Sequence, residues 1–98
     1  MAEHRLFLRG EIDLASSPQL SASLAEALAC GDVDVLLDCS QMTFIDSTGI
    51  HAIEDANRLL EARGRHMLVV NVSSITRQMF DFLGLTELLH VERGLISN

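Results

Sequence analysis

The chain has no lysine, tryptophan or tyrosine, and its 98 residues include one proline, two cysteines and four aromatics, all phenylalanine. Each scarcity removes a class of function. Seven cationic side chains, every one an arginine, stand against fourteen acidic ones, for a formal net charge of −7. That balance disfavours nucleic acid and anionic membrane and suits a basic protein partner. Four scattered phenylalanines make no stacking platform for single-stranded bases. Cys30 and Cys39 form no Cys-x-x-Cys pair and have no His at metal-ligand spacing, while His4, His51, His66 and His90 are dispersed. No metal site, redox pair or catalytic triad is therefore expected, and both thiols are expected reduced. No run approaches the eighteen or so apolar residues of a membrane span, and no basic segment leads into an apolar stretch at the start. The expectation is a cytoplasmic protein with no signal peptide and no membrane insertion. Phosphate-cradling Gly-rich loops and Gly-x-Ser-x-Gly elbows are missing too, so no cofactor and no serine-hydrolase chemistry is expected.

What is present is a hydrophobic content of 48 %, enough for one folded domain over residues 1–98. Arg5-Leu6-Phe7-Leu8-Arg9 suits a short strand, and Gly10-Glu11-Ile12-Asp13 is expected to break it into a loop. Pro18 at a first helical position, with Ser17 as cap, starts a helix whose Leu20, Leu24 and Leu28 form one apolar face up to Cys30. The run Val33 to Asp38 reads as a strand buried on both faces, with Cys39 to Thr43 as a connection. A second helix carries Ile50, Ile53, Ala56 or Asn57, and Leu60 inward, with His51, Glu54, Asp55 and Arg58 outward, and stops at Gly64. His66 to Val72 is the strongest strand by β-propensity. Ser73-Ser74 offers a cap for a third helix with Ile75, Met79, Phe82 and Leu83 as its apolar face, ending at Gly84, and Leu88 to Val91 is a last short strand. This alternation implies an α/β fold, a small and mostly parallel sheet covered by helices.

The most informative stretch is Phe44-Ile45-Asp46-Ser47-Thr48-Gly49-Ile50, two apolar residues running through Asp, Ser and Thr into a helical pattern. The first turn of a helix leaves backbone N–H groups without partners and carries partial positive charge. Ser47 at that point reads either as a plain N-cap or as a hydroxyl offered to a kinase, the resulting phosphate resting against the free N–H groups.

Four landmarks in order, Gly10-Glu11-Ile12-Asp13, Leu37-Asp38, Phe44 to Ile50 and Phe82-Leu83-Gly84-Leu85, resemble a STAS domain over nearly the whole chain, and within that family the bacterial anti-sigma factor antagonists. The resemblance implies a non-catalytic partner-switching protein. The unphosphorylated antagonist binds an anti-sigma factor that is also a serine kinase and so frees a sigma factor. The kinase phosphorylates the antagonist and ends the complex, and a serine phosphatase resets it. Transferred to this sequence, Ser47 is the phospho-acceptor, with Asp46 and Asp13 beside it. The partner-binding surface is then expected to comprise Asp13, Asp46, Thr48, Ile50, His51, Glu54 and Ser73. Relative to the family pattern the chain looks shortened at both termini, which leaves open a homodimer through an exposed sheet edge. Two other readings compete. One is a STAS accessory subunit of a bacterial ABC transporter of lipid, in which Ser47 only caps or contacts. The other is an aspartic-protease-like enzyme, against which stand the extra residue between Asp46 and Gly49 and the Ala/Leu-rich helices.

Overall fold

The computed structural model describes residues 3–31, 33–86 and 91. Strand β1 (Glu3–Ile12) leads to helix α1 (Ser17–Ala29), strand β2 (Asp34–Ile45), helix α2 (Ser47–Ala62), strand β3 (Met67–Val70) and helix α3 (Ser74–Phe82). The strands lie in the order β1-β2-β3, and both pairings are parallel. Of the expected last strand, Leu88 to Val91, residues 88–90 lie outside the described residues, and Val91 bridges Val69 in parallel.

Period-two burial decides how the sheet is covered. In β1, Leu8 and Ile12 are buried while Glu3, Arg5, Phe7, Arg9 and Glu11 are exposed, so alternate residues point to opposite faces. Leu8, Ile12, Val35, Leu37, Cys39, Ile45, Met67 and Val69 share one core with Leu24 of α1, Ile53 and Leu60 of α2, and Phe80 of α3. All three described helices therefore cover one face of the sheet, and β2 is buried on both faces from Val35 to Cys39, as its sequence suggested.

Two strands run further than expected. At β1, two steps separate Phe7 from Arg9 while their partners Asp38 and Gln41 are three apart, and a second irregularity follows at Gly10. Gly10 takes up φ +66°, a conformation that costs a glycine little, and so the strand continues to Ile12 instead of opening into a loop. Strand β2 likewise runs past Asp38 to Ile45, since it keeps pairing with β1 after β3 has ended at Val70 opposite Asp38. Among the described residues the other edge of β1 is unpaired. Its irregular register and its Arg and Glu side chains are features that discourage a second chain from adding a strand there.

The helix starts also shift slightly. Ser17 is the first residue of α1, not its cap. Ser16 precedes it and turns its hydroxyl back to the Glu11 carbonyl at 2.8 Å. Helix α2 closes as expected, with Gly64 at φ +74° taking the left-handed conformation that ends a helix. In α3 the inward residues are Thr76 and Phe80, whereas Ile75 and Phe82 are exposed. Of the apolar face read from Ile75, Met79, Phe82 and Leu83, Met79 packs against the core, while Thr76 is buried in place of its neighbour Ile75.

Both cysteines are free. Burial, with the Asp38 charge beside it, pushes the Cys39 thiol up to about 12, while Cys30 at the end of α1 is exposed. Only the thiolate reacts with alkylating reagents. A native sample treated with iodoacetamide at pH 8 is expected to label Cys30 and to leave Cys39 unmodified until the fold is denatured, which peptide mass mapping reads directly.

Candidate functional site at the carboxyl edge of the sheet

Three parallel strands deliver their carboxyl ends to one edge, and each hands over there to a helix. Ligands of open α/β sheets bind at this edge. Ile12 and Ile45 are register partners, and the Asp46 N–H donates to the Ile12 carbonyl at 3.0 Å. Asp13 and Asp46 thus follow side by side, and Ser73 opens α3 after the adjacent strand β3.

Asp46 is the N-cap of α2. Its backbone is extended (φ −110°, ψ −172°), and one carboxylate oxygen accepts from the Thr48 N–H at 3.0 Å, the Gly49 N–H at 3.3 Å and the Thr48 hydroxyl at 2.5 Å. The Thr48 hydroxyl, with the two N–H groups, holds its pKa below the ordinary 3.8 even though partial desolvation works the other way. Because the folded pKa is the lower one, the cap stabilises fully above roughly pH 5 and is lost as the pH falls through the folded value. Asp46→Asn keeps an acceptor but no charge. Its melting temperature is expected to lie below that of the wild type at pH 7, with the gap closing as both are acidified below pH 4.

Ser47 is the first residue of α2 and is exposed, and no described residue hydrogen-bonds its hydroxyl. It is not the cap; Asp46 takes that role. The Thr48 and Gly49 N–H groups are occupied by Asp46 as well, so a phosphate on Ser47 does not find them free. Ser47 projects its oxygen outward from a helix end that its neighbour has already satisfied.

The other expected surface residues divide by burial. His51 is exposed and Glu54 is half-buried on the outer side of α2. Thr48 is half-buried with its hydroxyl committed to Asp46. Ile50 is only 3 % exposed and belongs to the core, so it supports the helix and does not present a side chain to a partner. Asp13 shapes the β1–α1 turn: its carboxylate accepts from the N–H groups of Ala15 at 3.0 Å and Ser16 at 3.2 Å. Ser73 caps α3, accepting from the Thr76 N–H at 3.2 Å. Ser73→Ala should therefore cost about 1 kcal/mol, a shift measurable by urea denaturation.

Asp38, legible from the residues only as the end of an apolar run, ties β1 and the β3–α3 turn to β2. It is buried on β2 and accepts from Asn71 Nδ2 at 3.1 Å, the Ser40 N–H at 3.0 Å and Arg5 Nη1 at 3.3 Å. Burial raises its pKa, yet the Asn71 and Ser40 hydrogen bonds and the Arg5 charge outweigh that and leave it lowered. The bond to Asn71 ties the β3–α3 turn, and with it Ser73, to the central strand. A charged residue at the end of an apolar run was the only available signal, since a buried carboxylate must find partners.

Comparison with known proteins places this arrangement. Over 85 residues the chain is 28 % identical to an anti-sigma-B factor antagonist of Staphylococcus epidermidis, covering 87 % of this chain and 79 % of that one. The anti-sigma factor antagonist SpoIIAA in its unphosphorylated form superposes with a TM-score of 0.67 at 28 % identity, covering 80 % of this chain and 72 % of the other. SpoIIAA of Bacillus in its phosphorylated form gives 0.68 at 27 % identity, covering 92 % and 82 %. The STAS domain pattern matches residues 5–96, and the chain belongs to the STAS domain family.

Proposed function

We propose that this protein is an anti-sigma factor antagonist switched by phosphorylation of Ser47. Unmodified, it binds an anti-sigma factor with serine kinase activity and so releases a sigma factor for transcription. The kinase then transfers a phosphoryl group to the Ser47 oxygen, the complex separates, and a serine phosphatase restores the hydroxyl. The chain supplies no catalysis in this scheme; it is the kinase's substrate and acts in the cytoplasm, where sigma factors work.

The observation that carries the reading is the exposed Ser47 hydroxyl at the first position of α2, with its neighbour Asp46 already capping the helix. A hydroxyl so placed is reachable by a second protein and is not needed to hold its own fold. The resemblance to SpoIIAA, whose structures include both phosphorylated and unphosphorylated forms, supports the same reading. Asp13 after β1, His51 and Glu54 on α2, and Ser73 before α3 are the candidate contacts beside Ser47. A homodimer through β1 is not part of the proposal, because that edge is irregular and charged.

The test is to incubate the purified chain with ATP and each serine-kinase anti-sigma factor encoded in the same genome, and to map phosphate by mass spectrometry. Modification at Ser47, with Ser47→Ala inert, is the expected result. Phosphate on another residue, or on none with every kinase, overturns the proposal.

A further inference from the structure

Among the described residues several large apolar side chains are exposed, and after Phe82 at the end of α3 (88 %) the two most exposed lie at the carboxyl edge. Leu14 is 73 % exposed and Ile75 is 77 % exposed. Leu14 lies two residues beyond the end of β1, and Ile75 is the second residue of α3, just beyond β3. Since β2 runs between those strands, the two side chains stand on opposite flanks of the α2 start that carries Ser47.

The backbone turns that carry them are held by local hydrogen bonds. Leu14 sits in a turn fixed by the Asp13 carboxylate on Ala15 and Ser16, and by the Ser16 hydroxyl on the Glu11 carbonyl. Ile75 lies in a first turn fixed by the Ser73 cap and next to buried Thr76. An apolar side chain carried on a backbone already fixed in the free protein spares the complex the cost of ordering that backbone, which makes it an efficient anchor. The Asp46 carboxylate starts α2 between them and Asp13 adjoins Leu14, on a chain of net charge −7. An edge with two aliphatic knobs and an acidic middle is complementary to a protein surface with two apolar recesses separated by Arg or Lys.

We propose that Leu14 and Ile75 are paired apolar anchors that seat in a basic protein surface on either side of Ser47. This rests on the antagonist reading and adds a division of labour: the anchors supply affinity, and Ser47 supplies the switch. The partner is the anti-sigma factor itself, so the same anchors hold the kinase on its substrate.

The test uses the full chain and the cognate kinase identified by Ser47 modification. Leu14→Ala and Ile75→Ala are each expected to weaken binding of the unphosphorylated chain about tenfold, in the range of ordinary interface anchors. In the kinase assay KM should rise by a similar factor while kcat stays unchanged, because the reacting oxygen is untouched. Both side chains are exposed, so the melting temperature should hold, and it is measured alongside. Unchanged affinity and KM in both variants, with Ser47 still phosphorylated, overturns the anchors and leaves the switch standing. A wild-type chain that neither binds nor is modified overturns both. A wild-type dimer in sedimentation that the alanine variants dissolve assigns the anchors to self-association and overturns the proposal.

Discussion

Phosphorylation of Ser47 is expected to weaken anti-sigma factor binding by a few hundredfold while leaving the fold unchanged. The modification adds about −1.5 to −2 charges at neutral pH. Two opposing effects act on that charge. The partial positive charge at the α2 start favours it, by no more than about 1 kcal/mol at an exposed site. Against this, the Thr48 and Gly49 N–H groups that would best receive a phosphate are engaged by Asp46. The new charge therefore stays at the surface beside an ionised carboxylate, on a chain that already carries −7. Within the free protein, water screens the repulsion and the fold tolerates it. Under a partner the water is removed, and like charges in an interface cost several kcal/mol. A loss of roughly 3 to 4 kcal/mol corresponds to the stated factor. Isothermal titration of the anti-sigma factor with unmodified and phosphorylated chain measures it, and amide NMR spectra of both forms report the fold. Shifts confined to residues near the carboxyl edge agree with the account. Equal affinity of the two forms, or collapse of the spectrum on phosphorylation, contradicts it. Ser47→Ala should bind like the unmodified chain and resist release.

How much of this could be read from the residues depended on how each position is constrained. The α2 start was legible because Asp, Ser and Thr ahead of a 3.6-residue pattern satisfy a local requirement of every helix. Even so, the sequence could not decide which residue caps. Both Asp46 and Ser47 are good caps, and the choice was made by β2 running to Ile45, which leaves Asp46 as the first residue off the sheet. That extension was illegible in turn. Past Asp38 the strand has a single neighbour, and Ser40, Gln41, Thr43 and Phe44 are exposed, so the alternation that marks a half-buried strand is missing. The inward face of α3 was misread for a related reason. Thr76 counts as polar by type but is buried, while Ile75 counts as core by type and lies in solvent. Residue type carried the core where apolar side chains repeated over several turns, as in α1 and α2. It failed in the nine-residue α3, which offers only two turns of pattern. The Asp38 cluster escaped because its partners come from β1 and the β3–α3 turn, each 33 positions away in sequence.

Gly49→Ala is expected to destabilise the protein by about 1 to 3 kcal/mol, a sign opposite to that of most glycine-to-alanine changes in helices. Helix propensity alone favours alanine by up to about 1 kcal/mol, and nothing in the backbone forbids it, since Gly49 is helical and its φ is negative. The obstacle is contact. A Cβ on Gly49 would lie 2.7 Å from Ile12 Cγ2 and 2.9 Å from Ile45 Cγ1. Neither atom is the free end of a long side chain. Ile12 and Ile45 are β-branched, buried register partners at the ends of β1 and β2, and β-branched side chains have few rotamers to turn to. Relief must come from lifting the first turn of α2 off the sheet, and that turn holds the Asp46 hydrogen bond to the Gly49 N–H at 3.3 Å. The same displacement moves Ser47, so the substitution should also slow phosphorylation by more than its effect on the folded population explains. Urea denaturation gives the stability change, and phosphorylation rates measured at low urea and low temperature, where the variant is fully folded, isolate the second effect. A variant as stable as the wild type would show that the helix start is not seated on Ile12 and Ile45. Gly49→Ala combined with Ile12→Val leaves Cγ2 in place and should recover little, whereas Ile12→Ala removes the closest contact and should lessen the penalty attributable to Gly49→Ala in a double-mutant cycle.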